Sequence, residues 1–326
     1  MRILIIGAAG MVGRKLSQRL LRDGSLGGET ISWLRLADVV PPPSLPASKA
    51  ETQIAVADMT QPGVAGKLLV GRPDVIIDLA AVVSGEAESD FEKGYRVNLD
   101  AARHLLETIR LTGGGYAPRL VFSSSIAVFG PPVPDVIADD HPTAPATSYG
   151  TQKAITELLL ADYTRRGFLD GIGIRLPTIC VRPGAPNLAA SGFFSNIIRE
   201  PLHGRPAVLP VSTEVRHWFA SPRAAVGFLL HAATMDTTAL GLRRSLTMPG
   251  LSATVGEEIE ALRRAAGDDA VALIRAEPDE TIARMVDGWP RAFDARRATA
   301  LGFVAERDFD EIVRVYVEDE MGGTLR

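Results

Sequence analysis

Residues 2–7, "RILIIG", form an apolar run that stops on a glycine. Gly10 and Gly13 follow at three-residue spacing, and "RKLSQRLLRDG" (14–24) then takes up helical periodicity. A run this short with no polar position reads as a strand covered on both faces. A strand that turns through glycine directly into an amphipathic helix commits the chain to a βα unit, whose helix folds back over the strand. The unit recurs. Strand-like runs occupy "ETISWLRLAD" (29–38), "TQIAVAD" (52–58), "DVIIDLAAV" (74–82), "RLVFSSSIAVFG" (119–130) and "DGIGIRLPTICVRPG" (170–184), with helical patterns at 96–111 and 149–166. Alternating strands and helices predict an α/β fold with a doubly wound parallel sheet.

Past about residue 180 the alternation loosens. Helical stretches at 192–204, 221–235, 254–267 and 308–321 are separated by short strand-like pieces such as "RRSLTMP" (243–249). The expected organisation is a main domain over 1–180 and a smaller, mainly substrate-binding lobe over 181–326, with returns to the main sheet left open. The proline-rich "VVPPPSLPAS" (39–48) is too short for a domain linker and reads as a surface loop.

Charge narrows the partners. With 35 basic and 39 acidic residues the formal charge is −4 over 326 residues, without a block of like charge, so no nucleic acid is expected. No apolar stretch is long enough to span a bilayer, and the N-terminal run is too short for a signal-peptide core, so no membrane partner is expected. Cys180 is the single cysteine, and the five histidines show no ligand spacing. Neither a disulfide nor a metal is expected, and a cytoplasmic location fits.

The glycine spacing has a chemical use. Gly7, Gly10 and Gly13 match the G-x-x-G-x-x-G form of the dinucleotide fingerprint, in which absent side chains let a pyrophosphate approach a helix N-terminus. A glycine triplet also fits a plain strand–helix turn. Asp38, closing the second strand, favours the functional reading, because a carboxylate there accepts hydrogen bonds from both adenosine ribose hydroxyls and repels a 2′-phosphate. NAD is therefore expected over NADP. Asp58, at the end of the third strand, suits the adenine edge or a simple turn.

Tyr149 and Lys153 stand four apart in "SYGTQK" and share one helix face. Such pairs are common, but the "FSSSIAVFG" strand end lies upstream at the carboxyl edge, where doubly wound sheets bind ligands. Removing a proton from an alcohol requires a base, and a phenol with a pKa near 10 is a poor one at neutral pH. If Lys153 and a nicotinamide-side positive charge lower Tyr149 by about two units, that is roughly 3 kcal/mol in favour of phenolate. Ser125 would hold the substrate oxygen, while Ser123 and Ser124 could instead satisfy strand-end backbone groups.

Together the glycine loop, Asp38, "DLAA" (78–81), Asn98, "SSS" with "VFG", "YGTQK" and "RLPTICVRPG" resemble an extended short-chain dehydrogenase/reductase of the NAD-dependent epimerase/dehydratase type, over most of the chain. The resemblance implies a Rossmann fold, NAD, and Ser125, Tyr149 and Lys153 as catalytic residues. It implies that Asn98 holds a proton-relay water and that Met11, Val12, Ala80 and Pro177 also meet the cofactor. Self-association as a homodimer through the 96–111 and 149–166 helices is implied as well. Within the family, residues 148–194 are most similar to enzymes oxidising a small sugar acid.

A sugar acid needs a cation for its carboxylate. Arg182, Arg216 and His217 are the cationic candidates. Where nucleotide-sugar relatives carry a segment like "RDFVHVDD", this chain has "RHWFASPR" (216–223), keeping the arginine and losing the acids. His217 lies beside Trp218 and Phe219 and reads better as a packed neutral histidine. Ser84 is a candidate for a substrate hydroxyl or a loop turn. Uronate oxidation, nucleotide-sugar epimerisation, and a non-catalytic dinucleotide sensor or scaffold remain open at this point.

Overall fold

A computed structural model of the chain describes residues 1–42, 45–184 and 191–324. Part of the proline-rich loop and residues 185–190 of the segment similar to sugar-acid enzymes lie outside the described residues.

The apolar runs build one seven-stranded sheet: β1 (Arg2–Ile6), β2 (Trp33–Asp38), β3 (Glu51–Val56), β4 (Val75–Asp78), β5 (Arg119–Ser125), β6 (Asp170–Leu176) and β7 (Ser245–Thr247), in the order β3-β2-β1-β4-β5-β6-β7. The pairings β2–β3, β1–β2, β1–β4 and β4–β5 are all parallel. Strand order reverses between β1 and β4, and the carboxyl ends there form the crevice in which doubly wound sheets take their ligands. The fold is the expected mixed α/β, Rossmann-like one.

Helix α1 (Met11–Asp23) follows the glycine loop and ends on Gly24, whose φ of 66° is the left-handed geometry that closes a helix. Helices α2 (Ala101–Thr112) and α3 (Ser148–Arg165) contribute Leu105, Leu106, Ile109 and Leu160 to a core with Leu4, Ile6, Ile76, Leu120 and Phe122 of the sheet. The alternate side chains Ile3, Ile5, Ile77 and Val121 are buried too, which accounts for strands without a polar face. At the far side of the sheet Asp170, opening β6, takes hydrogen bonds from Arg119 of β5 at 2.7 Å and from Arg244, just ahead of β7.

By its internal contacts the chain divides into two compact units. The first comprises Met1–Ser125, Thr147–Arg175 and Val226–Leu246, and the second Ile126–Ala146, Leu176–Ala225 and Thr247–Arg326. In the second unit the strands Leu251–Thr254, Arg216–Ala220 and Thr178–Ile179 form a small mixed sheet. Helices α4 (Gly192–Leu202) and α5 (Val255–Val271) enclose a core that includes Phe194, Ile197, Phe219, Leu262 and Ile312.

Several elements differ from the sequence expectation: the 170–184 run is divided between β6 and the Thr178–Ile179 strand of the small sheet, and the 119–130 run leaves the strand after Ser125 for a 3-10 turn over Ile126–Val128. The 29–38 run is two pieces: Glu29–Thr30 pairs with Ser25–Leu26 as a hairpin, and the chain breaks where Ser32 N–H turns to Met1 O at 2.9 Å. The helix read over 96–111 starts earlier, at Phe91, and holds a π turn over Arg96–Asp100 before α2. The helix read over 254–267 runs on to Val271 across a kink at Gly267, where φ is 82°.

Candidate active site

The glycine loop is packed too closely against backbone to carry side chains at Gly7 or Gly13. A Cβ on Gly7 would stand 2.7 Å from Leu79 C, and one on Gly13 would stand 2.3 Å from Gly7 O, so only hydrogen fits at either position. Gly10 caps α1 without a side-chain hydrogen bond, and no acidic residue sits in the first turn. The N–H groups that open α1, at Met11, Val12 and Gly13, face outward with the positive end of the helix dipole, which suits a pyrophosphate. Asp38 is fixed above the loop by Ala9 N–H at 2.8 Å and leaves carboxylate lone pairs for ribose hydroxyls. These residues fit NAD. Asp58 is exposed and accepts from Thr60 N–H at 2.9 Å; hydrogen bonds from Thr60 hold it below the usual carboxylate range. That is the turn-forming geometry. Ala80 donates its N–H to Asp78 at 3.2 Å.

Helix α3 carries the phenol and the ammonium. Thr147 caps it by accepting from Gly150 N–H at 3.1 Å, and Glu88 accepts from Ser148 N–H at 2.9 Å, so the first turn is anchored on both sides of Tyr149. Lys153, 1% exposed, has its Nζ 5.6 Å from the Tyr149 ring centroid and 4.7 Å from that of Phe122. It donates to Ser123 O at 2.8 Å. The Ser125 hydroxyl is hydrogen-bonded to the Tyr149 phenol. A hydroxyl, a phenol and an ammonium thus converge at the carboxyl end of β5.

The electrostatics of the protein alone run against an easily formed phenolate. Burial pushes the Tyr149 phenol up to about 12, and the Ser125 hydrogen bond opposes this only in part. Burial draws Lys153 down to about 8, against the charges of Asp78 and Glu157. The sequence argument gave Lys153 and a nicotinamide-side charge the task of lowering the phenol; Lys153 is not among the groups that shift it here, so the lowering needs a further positive charge. Ser123 donates to the Asp78 backbone oxygen at 2.9 Å, as a strand-end serine would. Ser124 instead donates to Glu157 Oε1 at 2.5 Å, and Glu157 is paired with Arg175 at 2.7 Å.

Sequence reasoning did not single out Asp78, Gln152 or Glu157. Glu157 was the most accessible of the three, since it sits four residues after Lys153 on the same face. Asp78 is 7% exposed, and burial raises it to about 6 despite the opposing charge of Lys153. Asn98 is buried within the π turn and bonded to Val82 and Gln152. Ser84 opens a short helix (Ser84–Ser89), and its hydroxyl has no hydrogen bond among the described residues.

The remaining candidates belong to the second unit. Pro177 is buried directly after β6. The Arg182 guanidinium donates to Ser191 Oγ at 2.8 Å and has no carboxylate partner among the described residues; burial lowers its pKa. Arg216 differs, with Glu257 at 3.4 Å and Ser252 O at 3.1 Å. His217 stacks on Phe194 at 5.3 Å, and its Nδ1 lies 2.9 Å from Pro290 O. Burial draws it down to about 4, so it is a packed neutral imidazole.

Residues 3–238 match the model of the NAD dependent epimerase/dehydratase family. The chain belongs to that family. As a family member it is an enzyme with NAD as its cofactor. It is 47% identical over 323 residues to the D-erythronate dehydrogenase of Cupriavidus necator, covering 98% of each chain. It is 39% identical over 321 residues to the D-erythronate dehydrogenase of Haemophilus influenzae, covering 98% of this chain and 100% of the other. Among solved structures, a nucleoside-diphosphate-sugar epimerase from Agrobacterium tumefaciens superposes with a TM-score of 0.97 at 62% identity, covering 100% of this chain and 96% of that one. No described helix is long and apolar enough to cross a membrane.

Proposed function

We propose that this chain oxidises D-erythronate at C2 to 2-dehydro-D-erythronate with NAD. The end-to-end likeness to two D-erythronate dehydrogenases supports the substrate. The observation that carries the chemistry is the hydrogen bond between Ser125 and Tyr149 with Lys153 beside the ring. Bound NAD supplies a hydride acceptor and, before transfer, a positive ring. The Ser125 hydroxyl donates to the substrate oxygen, the Tyr149 oxygen takes the C2 hydroxyl proton, and Lys153 holds positive charge beside the phenolate that receives it. With a hydride acceptor bound, loss of that proton to Tyr149 would let the C2 carbinol become a ketone, and the proton would pass on to solvent.

Of the two arginines read as carboxylate partners, Arg182 is the better suited. A desolvated guanidinium without an acidic neighbour gains most from a bidentate carboxylate, whereas Arg216 already has Glu257. The reading extends to a sugar-acid substrate held also by Ser84, and to a cytosolic homodimer, which sedimentation at micromolar concentration checks.

The test is NADH formation when enzyme, NAD and D-erythronate are mixed. Absence of NADH with D-erythronate, alongside turnover of another aldonic acid, would move the substrate and keep the chemistry. The likeness to a protein named as a nucleoside-diphosphate-sugar epimerase favours a second reading, epimerisation. An epimerase regenerates its cofactor each cycle, so it gives no net NADH with any substrate.

A further inference from the structure

We propose that Gln152 is a positioning residue: its carboxamide fixes the orientation of Asn98, which in turn pins Val82 and the strap between β4 and the Ser84–Ser89 helix. The inference rests on the NAD-binding part of the reading above and not on the choice of substrate.

Gln152 precedes Lys153 in α3 and is fully buried, where a primary amide is unfavourable unless bonded. Its Oε1 accepts from Asn98 Nδ2 at 2.7 Å. Asn98, 2% exposed, spends the rest of its amide on one residue: Oδ1 accepts from Val82 N–H at 2.9 Å, and Nδ2 donates to Val82 O at 3.2 Å. Both Nδ2 hydrogens are then committed. Turning the Asn98 amide over would set donor against Val82 N–H and oxygen against Val82 O. It would also bring two oxygens together at Gln152. The acceptor on α3 therefore reinforces the amide orientation that the Val82 backbone also requires, and ties that orientation to the helix of Tyr149 and Lys153.

Two further features fit a residue kept for orientation. Gln152 Nε2 has no partner among the described residues, a cost that a smaller apolar side chain would avoid. Glycine at position 94 leaves that Nε2 its room, since a Cβ there would stand 2.8 Å from it. Asn98 itself lies in the π turn Arg96–Asp100, and single π turns gather at functional sites. The pinned strap carries Ala80 toward Asp78 and leads to Ser84. Gln152 thus couples the helix bearing Tyr149 and Lys153 to the strap beside the glycine loop, whose Leu79 backbone abuts Gly7.

Gln152→Leu keeps the volume and removes the acceptor. Gln152→Glu, which burial keeps protonated, retains a carbonyl acceptor for Asn98 and puts a hydroxyl where Nε2 has no partner among the described residues. Hydrogen–deuterium exchange of peptides covering Val82 and equilibrium NAD binding are measured for both, with KM for NAD and kcat alongside. In the Leu variant, Val82 exchange and the NAD dissociation constant should each rise about tenfold, the scale of one buried hydrogen bond, with KM for NAD rising more than kcat falls. In the Glu variant both should stay within about threefold of wild type. Unchanged exchange and binding in the Leu variant, or a Glu variant as loose as the Leu variant, would overturn the proposal. If the Leu variant does not fold, Gln152→Met is read the same way. Wild-type chain that binds NAD but leaves D-erythronate untouched would count against the substrate alone.

Discussion

Two buried carboxyl groups, Asp78 in the first unit and Glu258 in the second, are treated in opposite ways. Asp78 has Ala80 N–H at 3.2 Å and the field of Lys153, so burial raises it only to about 6. Glu258 is fully buried on α5, neither of its oxygens has a partner among the described residues, and burial holds it well above the ordinary range. His217 in the second unit is likewise kept neutral. The first unit keeps charge at its sheet edge, balanced by opposite charge, where a proton must be moved. In the second unit Glu258 and His217 are neutralised by burial instead, which is packing. A buried titratable group signals chemistry when another charge answers it, and burial alone does not.

The largest test of this contrast is Tyr149→Phe. Loss of the proton acceptor should cut kcat by about a thousandfold while NAD affinity stays within a few-fold, because only the reacting oxygen is removed. Arg182 is the sharpest challenge to the pattern, a desolvated cation in the second unit with no acidic partner among the described residues. Arg182→Ala should raise KM for the sugar acid about tenfold or more, and Arg216→Ala should change it less than threefold, as read from initial rates. Equal effects would break the assignment.

Smaller still is Asp78→Asn. The Asp78 charge raises the pKa of Lys153, so the variant should lose the lysine proton at lower pH. The alkaline limb of the kcat–pH profile should then move to lower pH; an unmoved limb would separate Asp78 from the lysine. Glu258 gives the mildest effect, on stability alone. Below about pH 4.5 it is protonated folded and unfolded; above that the unfolded chain ionises first, so stability falls as pH rises, by up to about 1.4 kcal/mol per pH unit. Asp78 makes a loss of the same sign that ends near its folded value of about 6. Glu258→Gln should flatten the decline in melting temperature between pH 6 and pH 8.

Much of the first unit was legible because its signals are local. A strand buried on both faces has no polar position, a glycine turn and a terminal aspartate follow in sequence, and two residues four apart share a helix face. What escaped depends on contacts between distant segments. Asn98 and Gln152 meet across 54 residues, and a π turn alters helix phase by one residue without disturbing an apolar pattern. Glu258 was masked by its neighbour. Thr254 and Glu257 form a capping box, so acids are expected in that turn, and nothing in the pattern marks the next one as facing inward. The two arginines separate only once Glu257 is seen beside one of them.

The sheet's last strand comes from residues 245–247, far beyond the segment that supplies its glycine loop. Asp170 needs arginines from both stretches, Arg119 and Arg244. Expressing only the first 180 residues would therefore yield no miniature nucleotide binder: it would bare the ladder of β6 to aggregation and strip one counter-ion from its opening residue.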